Sequence, residues 1–417
     1  MFRKILEVIF SIIVFCTFDT LAQAQSGAKK SPLAVDSFQG SPVPGNVEAL
    51  PKLVTNLSSP AKRVTFQSTT QFLNALDAPF VVQGAPGTSL QPQRTQALGS
   101  PTDVVPFAYG SYGAPYTSAR VATGSNAASS AAANVPVSAY PYRAVGKLYF
   151  KVGTSWYVCS ATLVKKGVLL TAAHCVFEFG KNKDKGYYSS FIFCPAHTTA
   201  TSPYGPYGCF PASSPRVLAS YYDGTDSCYS SGVVCSNDIA TLLVPKITTT
   251  ANNGKYLGQV YGFIAYGYNA YGFVSNALFS SYTSAQITQL GYPSAFDSGV
   301  QMQRTDSLGR AVTWSDSTTY NTVMGTALTG GSSGGPWIVN FGTVPTVSSG
   351  YASLGSDTSM VIVGVTSWGY SSVGVNFQGA SYFGQNTEYA DAAYGTYGAG
   401  NIGKLMYDTC TANTAYC

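Results

Sequence analysis

Charge is what this sequence has least of. Among its 417 residues, 18 are acidic and 23 basic, so charged side chains make up 10% of the chain, against roughly a quarter in an ordinary soluble domain. The excess of basic residues gives a net charge of +5, but it is scattered; the one local cluster, Lys181–Lys185, is broken by Asp184. Such a cluster reads as a solvated loop, and no nucleic-acid partner is expected. Long apolar runs are missing beyond the first twenty residues, so no membrane partner is expected once those residues are removed. Histidine occurs twice, at His174 and His197, which leaves two candidates for imidazole chemistry.

What is present begins with an export signal. Arg3 and Lys4 precede an apolar run from Val8 to Phe18, and Ala22-Gln23-Ala24 supplies small residues at a cleavage spacing. That pattern predicts a signal peptide over residues 1–24 and a secreted chain, extracellular or periplasmic. Cys16 would leave with it, and the remaining eight cysteines predict up to four disulfides in an oxidising compartment.

From Gln25 to about Tyr140 there is no cysteine, and Ser, Ala, Pro, Gly, Thr and Gln dominate. The stretch ends in "ATGSNAASSAAANVPVSAYP", which is linker-like. Residues 25–140 are expected to be a pro-segment or linker, with a small domain around "VTFQSTTQFLNAL" as the alternative. Residues 141–417 differ in texture. Short apolar runs recur at Val145–Val152, "WYVCSATLV", "GVLLT", Phe191–Cys194, Asp238–Val244, Gln259–Ala265, Thr322–Thr326, Trp337–Val339 and Val361–Ser367. Separated by turn residues, they predict an all-β barrel or sandwich. Only "NIGKLMYDT" near the end reads as helical. Tyr–Gly stretches such as "YGFIAYGYNAYGF" fit turn glycines and amphipathic tyrosines on sheet surfaces.

Three motifs hold chemistry. "LTAAHC" sets His174 after a strand, "SNDIATLLV" sets Asp238 at the start of another, and "GGSSGGPW" holds Ser333. A serine hydroxyl attacks only when a base accepts its proton, and the imidazole that does so needs a carboxylate to fix its tautomer. Asp223 and Asp226, in the turn-rich "YYDGTDSC", are alternatives to Asp238. His197, in "CPAH", could join Cys194 and Cys209 on zinc. It lacks a second close-spaced ligand pair, and neither a metal nor a cofactor is expected.

In this order, with "VTSWG" following, the motifs resemble the trypsin/chymotrypsin-type serine proteases. "LGYP" at Leu290–Pro293 resembles a segment of bacterial members near the glutamyl endopeptidases. The resemblance covers about Tyr142 to the C-terminus. It implies two six-stranded antiparallel β-barrels with a short C-terminal helix, and a monomer acting on protein or peptide substrates. It implies a catalytic triad of His174, Asp238 and Ser333, and an oxyanion hole built from the N–H groups of Gly331 and Ser333. Substrate would bind at Ala327, Leu328, Ser367, Trp368 and Gly369, by strand addition along the last three. Cys159 and Cys175 resemble the pair that staples the histidine loop. Cys194–Cys209, Cys228–Cys235 and Cys410–Cys417 are plausible local pairs, though other pairings of those six stay open.

Departures from the family pattern are informative. In animal digestive relatives an aspartate precedes the nucleophile and pairs with an amino terminus freed by cleavage. Here that position is Ser332, and no "IVGG"-like start occurs near residues 130–145, so that activation route is not expected. Ala327 and Leu328 are neutral, and Thr366 replaces the histidine of glutamyl-specific relatives, so cleavage after a neutral or apolar residue is expected. Thr329 stands where many relatives have a cysteine. The competing expectation is a catalytically silent module using the same fold for adhesion.

Overall fold

The computed structural model describes residues 36–37, 47–49, 52–53, 115–121, 137 and 139–417, apart from 182, 199–204, 249–251, 277–279, 315–316, 343–359, 371–375 and 391–392. The expected signal peptide and most of the expected pro-segment, including "VTFQSTTQFLNAL", lie outside the described residues.

Among the described residues before 140, four short strands are formed: β1 (Asp36–Ser37), β2 (Val47–Ala49), β3 (Lys52–Leu53) and β4 (Tyr116–Arg120). The first sheet then starts with β5 (Val145–Val152), β6 (Ser155–Leu163) and β7 (Val168–Thr171), followed by β8 (Ser189–Pro195), β9 (Phe210–Pro211) and β10 (Ser213–Val217). A hairpin of β11 (Cys228–Ser230) and β12 (Val234–Cys235) precedes its last member, β13 (Ala240–Leu243). The second sheet gathers β14 (Ala265–Tyr266), β15 (Val274–Asn276), β16 (Ser280–Gly291), β17 (Gln303–Thr313), β18 (Tyr320–Gly325), β19 (Pro336–Val339), β20 (Val361–Val365), β21 (Trp368–Tyr370) and β22 (Phe377–Ser381).

Both sheets are curled and barrel-like, which is the double-barrel architecture of the chymotrypsin type. The first runs β10-β13-β7-β6-β5-β8-β9 and the second β14-β20-β19-β16-β17-β18-β22-β21. Among the described residues the sheets hold eight and twelve strands rather than six each. Part of the excess comes from the N-terminal strands: β3 adds to β6, while β1 and β4 add to β17 and β2 to β21.

Burial explains why these segments pair. The "VLLT" of β7 and "ATLL" of β13 are buried at every position, and Leu148, Phe150, Leu163 and Phe193 fill the space they enclose. Removing such surface from water is the main drive for closing the sheet. Leu290, Ile338, Ile362 and Val365 from the second sheet extend the same apolar cluster, so the two barrels share a seam. The C-terminal helix α3 (Gly400–Ala412) buries Ile402, Leu405, Met406 and Cys410. Thr409 Oγ1 on it lies 2.7 Å from Thr241 Oγ1 of β13.

Two short helices precede it, α1 (Ala219–Asp223) and α2 (Leu257–Tyr261). The second corrects a sequence expectation, since Gln259–Ala265 read as a strand. Its first turn is closed by the Gln259 side chain, which accepts the Tyr256 N–H at 2.9 Å, and Gly262 ends it at φ 85°. Four disulfides join Cys159–Cys175, Cys194–Cys209, Cys228–Cys235 and Cys410–Cys417. Among the described residues no helix is long and apolar enough to cross a membrane.

Candidate active site

Ser333 sits in the turn between β18 and β19, on a loop pinned to the first barrel. The Ser160 N–H donates to the Ser333 carbonyl at 2.7 Å, and Ser160 Oγ donates to the Gly331 carbonyl at 2.9 Å. Gly334 lies closer still. A Cβ there would fall 2.0 Å from Thr171 Oγ1 and 3.0 Å from the Ala172 nitrogen, and φ is +75°. Only glycine accepts both that crowding and that backbone region. The serine loop therefore abuts the segment that leads, two residues on from Ala172, into His174.

His174 lies in a tight turn after β7, stapled to β6 by Cys159–Cys175. Asp238 lies two residues before β13, the strand paired to β7. The Asp238 carboxylate accepts the His174 backbone N–H at 2.8 Å and the His174 Nδ1–H at 2.7 Å. It also accepts the Ser367 hydroxyl on Oδ2, while its own N–H donates to Ser381 Oγ at 2.8 Å. A fully buried carboxylate with three donors is held as an acceptor, which fixes the proton on Nδ1 and leaves Nε2 with a free lone pair. Nε2 of His174 and Oγ of Ser333 are both buried and have no hydrogen-bond partner among the described residues. A base and a hydroxyl left without partners on abutting segments can exchange a proton once a substrate aligns them.

The amides of the loop divide into two groups. Those of Ser332, Gly334 and Gly335 donate to the carbonyls of Thr329, Thr366 and Ser332 at 3.1, 2.7 and 2.9 Å. Those of Gly331 and Ser333 have no acceptor among the described residues, and Gly331 takes φ +100°. Two undirected N–H groups beside a serine suit a developing oxyanion.

Ser332 turns inward, as its position under the loop requires. Its hydroxyl donates to the Thr329 carbonyl at 2.7 Å and accepts from Gln378 Nε2 at 3.4 Å. Gln378 also donates to the Leu328 carbonyl at 2.7 Å and accepts from Gln289 Nε2 at 2.6 Å. Gln289 in turn donates to Thr366 Oγ1 at 2.8 Å and accepts from Thr326 Oγ1 at 2.8 Å. Trp337 Nε1 closes the set on Thr366 Oγ1 at 2.9 Å. Every member is uncharged, and nothing in the sequence pattern pointed to Gln289 or Gln378.

The remaining candidates fall as follows. Ala327 is half-buried and Leu328 buried at the start of the serine loop. Trp368 is buried, its Nε1 donating to Asn321 Oδ1 at 2.6 Å, and Gly369 follows it on β21. Ser367, read as a substrate-contacting residue, spends its side chain on Asp238 and on the Val233 carbonyl at 3.1 Å. His174 is bonded to Asp238, and Asp226 is engaged elsewhere. Its carboxylate holds the Asn237 N–H and side-chain amide, each at 2.9 Å, one residue from Asp238. Burial, with the Glu388 carboxylate nearby, raises its pKa to about 8.

His197 bonds to Tyr149 Oη at 3.1 Å and to the Val300 carbonyl at 3.2 Å; burial lowers its pKa to about 3. Cys194 and Cys209 are joined to each other, so neither can ligate a metal beside it. A separate cleft of about 550 Å³, lined by Tyr140, Phe263, Tyr266, Tyr268 and Tyr397, holds none of the candidate residues.

Solved structures similar to this chain include a protease, Anisep, from Arthrobacter nicotinovorans, at 24% identity over 59% of this chain and 92% of that one, with a TM-score of 0.42. A thermostable serine protease, AL20, from an extremophilic microorganism is 21% identical over 58% and 92%, with a TM-score of 0.42. A Glu endopeptidase in complex with MPD is 17% identical over 64% and 91%, with a TM-score of 0.39. No protein-family model matches the sequence, and no curated protein matches it.

Proposed function

We propose that this protein is a secreted serine endopeptidase in which His174, Asp238 and Ser333 form the triad. The observation that supports it most is the buried His174–Asp238 pair, whose outward nitrogen has no partner, on a segment abutting a serine whose hydroxyl has none either. In acylation, Ser333 Oγ bonds to the substrate carbonyl carbon while Nε2 of His174 takes its proton. Asp238 stabilises the imidazolium, and the Gly331 and Ser333 amides receive the oxyanion. The amine leaves with the proton from His174, and water then repeats the sequence on the acyl-enzyme. The neutral pair Ala327 and Leu328 favours cleavage after a neutral or apolar residue.

A fluorophosphonate probe tests the reading. The secreted protein, whole or after limited proteolysis of its first 140 residues, should take one label, and Ser333→Ala should abolish it. A folded protein that takes no label in either form would favour the silent binding module instead.

A further inference from the structure

A strand has two edges to pair. On β17, β16 takes one edge from Gln303 to Arg310, and β18 takes the other from Gly309 to Thr313. The rest of that second edge, Gln303 to Ser307, is taken by β4, with Arg120 opposite Gln303 and Tyr116 opposite Ser307. β4 is fastened at both ends. The Pro115 carbonyl accepts the Ser307 hydroxyl at 2.7 Å, and the Val121 N–H donates to the Met302 carbonyl at 2.9 Å.

The strand ends on a charge. Arg120 donates to both carboxylate oxygens of Asp297, from Nε at 2.7 Å and from Nη2, and Gln303 Nε2 adds a third donor at 2.7 Å. The Asp297 side chain is 8% exposed and that of Arg120 52%, so a surface cation reaches in to a carboxylate that is almost buried. Among the described residues no other cation pairs with Asp297. A bidentate guanidinium fixes direction as well as charge. Asp297 needs that fixing: it and Ser298 take φ of 48° and 51°, ahead of Gly299 at 66°. Residues other than glycine stay in that left-handed region only where their surroundings hold them.

The turn passes its position to the serine loop. A Cβ on Gly299 would fall 3.3 Å from the Tyr292 carbonyl oxygen, and one on Gly331 would fall 2.5 Å from the same atom. The Tyr292 carbonyl is therefore in contact with both glycines. Beside it, the Ser294 N–H donates to the Gly330 carbonyl at 2.8 Å and the Ala295 N–H to Thr329 Oγ1 at 3.1 Å. Asp297 follows two residues on. The far side of the turn is held from the first barrel, where Lys147 and His197 bond to the carbonyls of Gly299 and Val300. Asp297 is the point at which β4 acts.

We propose that Arg120, through Asp297, is a positioning residue for Gly330 and Gly331 and so for the oxyanion amides; this rests on the serine-protease reading. Residues 115–121 are then part of the working enzyme rather than of the pro-segment or linker expected over residues 25–140. Arg120 touches neither substrate nor reacting atoms. Its loss slows the step in which the oxyanion forms and leaves binding alone.

Fluorophosphonate labelling of the full chain, counted per folded molecule, gives a maximal rate and a half-saturating probe concentration. Losing an oxyanion donor outright costs about a hundredfold or more, so a misplaced one should cost Arg120→Met about tenfold in maximal rate. Its half-saturating concentration should stay within about twofold of the parent's, as for an interaction made only in the transition state. Asp297→Asn, equal in size but uncharged, should slow labelling in the same way, and Arg120→Lys, still a cation, should recover most of the rate. Lys404→Met, which breaks an ion pair with Asp408 on α3, should label at the parent rate. Hydrogen exchange in the Ser333→Ala background reads the link without chemistry: Arg120→Met should lower protection at the Ser294 and Ala295 amides about tenfold.

Parent-rate labelling by folded Arg120→Met, with protection at 294–295 unchanged, would overturn the proposal and leave the protease reading standing. A slowing that comes from weaker probe binding, or that Arg120→Lys does not relieve, would overturn it too and leave β4 a structural strand only. Protection lost in Arg120→Met, from a parent chain that takes no label, would support the link to the serine loop and sink the protease reading instead.

Discussion

Both barrels bury apolar strands, but they differ in the polar side chains buried beside them. In the first, β7 and β13 turn leucine, valine and alanine into the core, with threonine at Thr171 and Thr241. In the second, β17 alternates buried and less buried positions from Gln303 to Ala311, and the buried ones are Gln303, Thr305, Ser307, Gly309 and Ala311, with Val312 buried after them. Gln289, Asn321, Thr326 and Gln378 join them, each almost wholly buried. The difference matches what each barrel does for the site. The apolar barrel holds His174 by shape and by a disulfide, whereas the polar one holds the serine loop through directed hydrogen bonds. Such a network specifies a conformation only while every member is satisfied.

Four substitutions can break or sharpen that contrast. The largest effect is expected from Ser332→Asp, which would set a carboxylate beside Gln378 with no cation among its partners. An unpaired buried charge costs about 4 kcal/mol. Burial would raise that carboxyl's pKa above its unfolded value, so the loss should grow as pH rises through the window between the two, which urea melts across pH would read. Leu170→Ala, in the apolar barrel, should cost about 3 kcal/mol by opening a cavity. Probe labelling per folded molecule should stay at the parent rate.

Gln289→Leu, in the polar barrel, should cost about 2 kcal/mol by leaving Thr326 and Gln378 short of partners. Unlike the leucine variant, it should also slow labelling at least tenfold, since its partners hold the serine loop. Equal labelling by both variants would erase the distinction between the barrels.

The smallest effect concerns a polar residue in the apolar barrel. Lys147 is buried on β5, its Nζ donating to the Gly299 carbonyl at 2.6 Å above the Tyr149 ring. Burial lowers its pKa to about 7 from 10.5. The unfolded chain therefore binds more protons between those values, so the penalty is full below about pH 7 and fades toward pH 10.5. Lys147→Met should raise Tm by about 4 °C at pH 6. By pH 10 that gain should be gone, in differential scanning traces.

The same contrast explains what could be read from the sequence. β5, β6, β7 and β13 were legible because apolar side chains mark their buried faces. β16 and β17, the longest strands, were not, because Ser, Thr and Gln occupy positions where hydropathy patterns look for Val and Leu. His174, Asp238 and Ser333 could be named because "TAAHC", "NDIATL" and "GSSGGPW" are local. The glutamines beneath Ser332 could not, since they are 89 residues apart and meet only when β16 and β22 assemble. The bond from the Ser367 hydroxyl to Asp238 was not legible for a related reason: the motif spoke for the backbone of Ser367–Gly369 and says little about where a small side chain turns. The helix at Leu257–Tyr261 follows from one side chain, Gln259, capping its own turn, which outweighed the strand-like run of Val, Tyr, Phe and Ile.

The neutral support beneath Ser332 has a consequence for alkaline conditions. An α-amino group loses its proton near pH 8, so a nucleophile loop propped by such an amine slackens as the medium turns basic. Nothing among Ser332, Gln378, Gln289, Thr366 and Trp337 has a proton to give up in that range. On the proposed reading, the Gly331 and Ser333 amides should therefore hold their alignment well above pH 8, whatever residue begins the polypeptide.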